Sequence, residues 1–174
     1  MNNRRSFIVG IKSTKLLLKE REFIKKYKPW GIILFSRNII NIKQAKRLTL
    51  SIRKIFKDSK YPILIDQEGG RVNRLKNIIS FNNLTSEFFG KKFISKPNEF
   101  IFFYNLFIDK TSYLLKLIGV NINTSPVLDL RIKGSSNVIG DRSFSKNPRI
   151  VSKIGDYCIS HYHKNRIATV IKHI

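Results

Sequence analysis

The sequence has very little cysteine and no long hydrophobic run. Its 174 residues include a single cysteine, Cys158, which excludes an internal disulfide and is typical of a reducing compartment. The apolar run near the N-terminus is about five residues long, shorter than the roughly 7–15 that a signal peptide needs. The most apolar region, FIFFYNLFIDKTSYLLKLIG, carries Asp109 and Lys110 at its centre, which favours a buried helix over a membrane span. We therefore expect a cytoplasmic protein with no membrane partner.

Acidic residues are also scarce. There are 11 Asp and Glu against 34 Lys and Arg, which gives a net charge of +23. Such a charge attracts phosphates, so a basic nucleic-acid-associated protein is one alternative. The cations are spread along the whole chain, however, and Lys, Asn, Ile and Phe are abundant together, as an AT-rich genome would produce. We therefore expect no nucleic-acid partner.

Short β-rich runs alternate with longer helical patterns along the chain. The predicted strands cover residues 7–11, 30–36, 61–67, 120–130 and 168–174. The predicted helices lie near residues 15–27, 41–58, 98–118 and 147–166. Two long loops, 76–97 and 131–147, separate them. This order predicts one α/β domain over residues 1–174, in which helices connect parallel strands.

Polar residues follow the apolar strands. DQEGGR comes after the third predicted strand, SPVLDL lies in the fourth, and KH lies in the fifth. In parallel α/β folds the ligand site lies at the carboxyl ends of the strands. These polar groups are therefore expected to converge on one site.

The stretch DQEGGRVNRL combines two carboxylates with two arginines. Asp66 and Glu68 are two residues apart, so in an extended segment they point to the same side. One interpretation is a catalytic pair of general acid and nucleophile. The other is that Glu68 pairs with a nearby arginine and shapes the turn. Arg71 and Arg74 are expected to lower both carboxyl pKa values, which suits a ligand-binding carboxylate better than a proton donor.

Two further motifs contain candidate binding residues. GDRSF places Arg142 in a loop, where its planar guanidinium could bind a ligand or lie free on the surface. IKHI places Lys172 and His173 at a strand end. There is no metal-ligand spacing and no nucleotide-binding motif, so we expect neither a metal nor another cofactor.

Five segments together resemble a known family. GIILFSRN, PILIDQEGGRVNRL, GVNINTSPVLDLR, VIGDRSFSKNP and ATVIKH occur in this order. They look like the N-terminal part of bacterial β-N-acetylhexosaminidases of glycoside hydrolase family 3. Those cytoplasmic enzymes remove N-acetylglucosamine from peptidoglycan fragments in cell-wall recycling. The resemblance implies a TIM-type (β/α) barrel, incomplete here, with about the first five strands.

The resemblance also assigns roles to individual residues. It implies that the substrate-binding residues are Asp66, Arg74, Arg142, Lys172 and His173. A carboxylate accepts hydrogen bonds from sugar hydroxyls, and Arg and Lys donate to hydroxyls and to the acyl group. The implied partners are muropeptides that contain N-acetylglucosamine.

The sequence departs from the family pattern at its end. In the family the Lys-His pair continues into a loop with the acid/base histidine, and the nucleophilic Asp lies later still. We therefore expect no catalytic residue within the chain, with both groups beyond Ile174. An inactive saccharide-binding remnant is an alternative. Because five strands cannot close a barrel, we also expect self-association or a complementing C-terminal fragment.

Overall fold

Five short parallel strands form one sheet in the order in which they occur along the chain. The computed structural model describes residues 4–132, 134 and 137–173. Residues 133, 135 and 136 of the predicted 131–147 loop, and residue 174 of the last predicted strand, lie outside this range. The strands are β1 (Arg5–Gly10), β2 (Pro29–Leu34), β3 (Ile63–Ile65), β4 (Ile122–Asn123) and β5 (Ala168–Thr169).

Helices connect these strands. They are α1 (Leu18–Tyr27), α2 (Ile42–Phe56), α3 (Ser86–Ser95), α4 (Pro97–Leu117) and α5 (Pro148–Lys164), with 3₁₀ turns at Ser36–Asn38 and Gly140–Arg142. Neighbouring helices pack in sequence, α1 on α2, α2 on α4 and α4 on α5. A sheet with sequential strand order and helices stacked in the same order is the arrangement of a (β/α) barrel wall. The predicted α/β fold is confirmed.

The predicted loop 76–97 is wrong in its second half, because that half contains α3. Gly90 lies in the middle of this helix and weakens its helical propensity. The structure explains the glycine, since a Cβ there would lie 1.7 Å from the carbonyl oxygen of Phe144. Close packing against another segment therefore stabilises a helix that local propensity does not predict.

The fourth strand is much shorter than the predicted range 120–130. Only Ile122 and Asn123 pair with both neighbouring strands. Pro126 has no N–H to donate to a ladder, which limits the length of the strand. A single parallel bridge between Val127 and Lys172 keeps the next segment beside the end of the fifth strand. The polar residues after β3, β4 and β5 are thereby held close together.

The outer edges of the sheet carry exposed apolar side chains. Within the described part of the chain, β1 pairs with β2 alone and β5 pairs with β4 alone. Ile8 on β1 is 44 % exposed and Val170 after β5 is 42 % exposed. Among the described helices, none is long and apolar enough to cross a membrane. The apolar side chains at both sheet edges are exposed in this chain.

We predict that the 174-residue polypeptide, produced by itself, associates with itself through these edges. Unpaired strand edges and exposed apolar side chains favour strand addition. Ile8→Glu should shift the mass measured by size-exclusion chromatography with light scattering towards the monomer. Leu50→Glu, at an exposed apolar position on α2, is the matched control and should not. A wild-type chain that stays monomeric at high concentration would contradict this prediction.

Candidate functional site

Asp66, directly after β3, lies at the centre of a cluster of polar side chains. Its Oδ1 accepts hydrogen bonds from the Thr124 hydroxyl and from Lys172 Nζ, the latter at 2.9 Å. Its Oδ2 lies 3.5 Å from a terminal nitrogen of Arg74. Three segments, those that follow β3, β4 and β5, therefore meet at one carboxylate.

These contacts decide the charge state of Asp66. Burial raises the pKa of the carboxyl group, but the hydrogen bonds from Thr124 and Lys172 and the charges of Lys172 and Arg74 together outweigh burial. The net result is a pKa below the ordinary value, so the group is ionised at neutral pH. An ionised carboxylate accepts hydrogen bonds and does not donate a proton.

Glu68 has the most deeply buried acidic or basic side chain of the site. Its side chain is 3 % exposed. Arg142 binds it in a bidentate manner, with Nε and a terminal nitrogen 2.8 and 2.9 Å from the two carboxylate oxygens. This hydrogen bonding raises the pKa of Arg142. Lys172 Nζ lies 2.7 Å from Glu68 Oε1, so one ammonium bridges both carboxylates of the motif.

Asp66 and Glu68 do point to the same region, as their spacing predicts, but both are bound by cations. The second interpretation, in which Glu68 pairs with an arginine, agrees with this geometry. The partner is Arg142, 74 residues away, rather than an arginine of the same motif. Both carboxylates of the motif are therefore ion-paired.

The two arginines of the opening motif have different partners. Arg74 contacts Asp66, as expected. The expectation that Arg71 acts on the same carboxylates is wrong. Arg71 Nε lies 3.2 Å from Asp141, and its guanidinium donates to main-chain carbonyls of the loop before Asp141. Arg71 therefore fixes the loop that carries Arg142.

Lys172 and His173 turn towards different acids. Lys172 enters the Asp66–Glu68 network, whereas His173 Nδ1 lies 2.7 Å from Asp129 Oδ2. The His173 backbone N–H donates to the same oxygen at 3.2 Å. The imidazole is 49 % exposed and is thus oriented by Asp129 while it remains accessible. Asp129 belongs to the SPVLDL stretch, whose polar groups were expected at the site but without an individual role, and Thr124, directly after β4, was not predicted as a site residue.

Buried amide groups hold the motif in place. The Gln67 side-chain oxygen accepts the backbone N–H groups of Arg74 and Leu75 at 2.9 and 3.1 Å. The Asn123 side chain accepts the Gln67 N–H and donates to the Gln67 carbonyl, both at 2.9 Å. Gly69 has φ +94°, and a Cβ there would lie 2.2 Å from the Leu84 carbonyl oxygen. The loop conformation is therefore fixed on both sides of Glu68.

Within the part of the chain that the structure describes, no group of three or more His, Cys, Asp or Glu side chains could hold a metal ion. Cys158 is buried, and burial raises the pKa of its thiol to about 12. It is therefore protonated and unreactive at neutral pH.

We predict that Glu68→Ala lowers the free energy of unfolding by about 3 kcal/mol, because it leaves the mostly buried Arg142 and Lys172 without their shared acceptor. Urea unfolding measures this change. Glu22→Ala, at an exposed position on α1, is the control and should change the free energy by less than about 0.5 kcal/mol. Equal effects of the two substitutions would contradict the prediction.

We predict that the carboxyl pKa of Asp66 rises in Lys172→Met, because the substitution removes a hydrogen bond and a charge while burial remains. In the wild type the folded-state pKa is depressed. The stabilisation from Asp66 is therefore present above its unfolded-state pKa and is lost as the pH falls through the folded-state value. Carbon-13 NMR titration of the carboxyl group measures the shift. Lys153→Met, at an exposed position on α5, should leave it unchanged.

Comparison with known proteins assigns the chain to a family. Residues 8–174 match the model of the glycosyl hydrolase family 3 N-terminal domain. The β-hexosaminidase of Hydrogenovibrio crunogenus is 34 % identical over 166 residues, which cover 95 % of this chain and 46 % of that protein. The chain thus spans about half the length of the curated relatives it matches.

Solved structures agree with this match. NagZ from Neisseria gonorrhoeae has a TM-score of 0.87 at 27 % identity, with 98 % of this chain and 49 % of that chain covered. A complex of the same protein with N-trifluoroacetyl-D-glucosamine has a TM-score of 0.82 at 26 % identity, with 98 % and 50 % covered. The chain belongs to glycosyl hydrolase family 3, through the N-terminal domain of that family.

Proposed function

We propose that this chain carries the sugar-binding part of a retaining β-N-acetylhexosaminidase. The proposed reaction removes terminal non-reducing N-acetylglucosamine from peptidoglycan fragments in the cytoplasm. Family membership and the β-hexosaminidase relatives support the reaction class. The NagZ complex with a glucosamine derivative supports the sugar class.

The observation that carries the proposal is the polar cluster around Asp66. Lys172 and Thr124 occupy one oxygen of this carboxylate, while Arg74 lies 3.5 Å from the other. The second oxygen can therefore accept hydrogen bonds from the hydroxyls of a sugar ring. Arg74 and Lys172 supply charged donors beside it, and such charge-assisted hydrogen bonds are about twice as strong as neutral ones.

The remaining site residues surround this acceptor. Arg142 is held by Glu68 with a fixed guanidinium plane, and His173 is held by Asp129. We propose that Arg142 and His173 bind the substrate and that Glu68 and Asp129 orient them. A site built in advance in this way loses little conformational entropy when a polar ligand binds.

We further propose that the acid/base group and the nucleophile lie outside the described residues. Four acids in the segments after β3 and β4 are each engaged by a cation or an imidazole: Asp66, Glu68, Asp129 and Asp141. A retaining glycosidase needs a proton donor and a free carboxylate about 5 Å apart. Asp66 is ionised at neutral pH and does not fit the first of those roles, and none of the four is free of a cation or an imidazole.

We predict that the purified chain binds N-acetylglucosamine and that Asp66→Asn weakens binding at least about tenfold, because one charged acceptor of the sugar hydroxyls is lost. Isothermal titration calorimetry measures the affinity. Asp156→Asn, at an exposed position on α5, is the matched control and should bind as the wild type does.

Three outcomes would change this proposal. Absence of N-acetylglucosamine binding by the wild type would overturn the sugar-binding role. Turnover of a chromogenic N-acetylglucosaminide by the 174-residue polypeptide, abolished in Asp66→Asn, would overturn the placement of the catalytic groups outside it. Salt-dependent binding of an oligonucleotide at physiological ionic strength, with no sugar binding, would favour the basic nucleic-acid-associated alternative.

A further inference from the structure

The aromatic ring of Phe35, directly after β2, lies against two arginine side chains. The guanidinium carbon of Arg37 is 4.5 Å from the ring centroid, and that of Arg74 is 5.5 Å from it. Both distances are within the roughly 6 Å at which a cation over an aromatic face is attracted by the ring quadrupole. A residue of the second βα unit thus contacts Arg74 of the third.

Phe35 is not a member of the hydrophobic core. It is only partly buried, and it is absent from both the buried core cluster and the side chains packed against that cluster. Its position is nonetheless fixed. Its backbone N–H donates to Asn38 Oδ1 at 2.9 Å, and the Asn38 amide donates to the Ile11 and Ser13 carbonyls.

A glycine in β1 makes room for the ring. A Cβ at Gly10 would lie 3.1 Å from a ring carbon of Phe35 and 3.3 Å from a terminal nitrogen of Arg37. Arg37 is itself anchored, since its Nε donates to the Ile11 carbonyl at 3.1 Å. Groups from the first two βα units therefore hold the ring in a defined place.

Arg74 has few other contacts that could orient its side chain. Gln67 fixes only its backbone N–H. The contact with Asp66 is long, at 3.5 Å, and in the described part of the chain the buried Nε of Arg74 has no hydrogen-bond partner. The Phe35 ring is therefore the contact that can set the plane of the guanidinium.

We infer that Phe35 is a positioning residue of the sugar site, which holds the Arg74 guanidinium in the orientation that meets the ligand. This inference rests on the proposed function, because it takes Arg74 as a sugar contact. A ring that covers part of the guanidinium restricts its rotation, so that its terminal N–H groups keep one direction towards an acceptor oxygen of the ligand. A purely structural Phe35 would affect folding but not the environment of Arg74.

The test compares five variants, three single substitutions at Phe35 and Phe23 and an Arg74→Lys pair with and without Phe35→Leu, and it uses two measurements. The first measurement is the proton resonance of Arg74 Hε, which the ring current of a nearby aromatic ring displaces. The second is the affinity for N-acetylglucosamine by calorimetry. In Phe35→Leu we expect the resonance to move to an ordinary arginine position and the affinity to fall about 2- to 5-fold, the range for loss of one cation–π contact.

Phe35→Tyr keeps the aromatic face, so its Arg74 Hε resonance and its affinity for N-acetylglucosamine should equal those of the wild type. Phe23→Leu, at an exposed aromatic position on α1, is the matched control and should change neither. In an Arg74→Lys background Phe35→Leu should cause no further loss of affinity, because the group that the ring orients is already gone.

The outcomes separate this inference from the proposed function. An unchanged Arg74 Hε resonance in Phe35→Leu would overturn the positioning role, whatever the sugar affinity does. A shifted resonance with unchanged affinity would show that the ring lies against Arg74 without consequence for the ligand, and it would also overturn the inference. A wild type that does not bind the sugar would overturn the proposed function and the ligand part of the inference together, and the resonance would still decide whether the ring lies against Arg74.

Discussion

The rest of the site depends on the ion pairs that the ammonium group of Lys172 forms with two carboxylates. This ammonium lies 2.9 Å from Asp66 and 2.7 Å from Glu68, two carboxylates that would otherwise repel each other in a poorly solvated place. Lys172 is separated from Asp66 by 106 residues, so the contact also joins the segment after β5 to the segment after β3. Without this cation each carboxylate would keep one cationic partner, Arg142 for Glu68 and Arg74 for Asp66, and the side-chain link between the segments after β3 and β5 would be lost.

The polar cluster differs in charge from the rest of this basic chain. The chain has 34 Lys and Arg and only 11 Asp and Glu, yet Asp66, Glu68 and Asp129 lie within one polar cluster. Locally, cations and carboxylates therefore balance, while the surface elsewhere carries the positive charge. The carboxylates in turn hold the basic groups, so the orientation of Arg142, Lys172 and His173 is set before any ligand binds.

The support beneath the charged groups is neutral. The paired amides of Asn123 and Gln67 hold the motif backbone, and the ring of Phe35 lies against Arg74. The core of Ile, Leu and Phe side chains under the sheet keeps the strand ends at fixed spacing. A site of this kind needs both layers, since a charged group is useful for recognition only if its geometry is rigid to within about 0.5 Å.

The sequence by itself determined the order of strands and helices and the cluster of polar residues at the strand ends, because alternation and apolar periodicity are local properties of the chain. Its resemblance to the family implied one substrate-binding set, Asp66, Arg74, Arg142, Lys172 and His173. Only the tertiary structure decided the partners: Glu68 with Arg142, Arg71 with Asp141 and His173 with Asp129. It also decided that α3 forms, through the packing of Gly90 on Phe144. Ion pairs and close packing depend on which strand ends are neighbours and on the direction of each side chain, and neither is encoded in residue spacing along the chain.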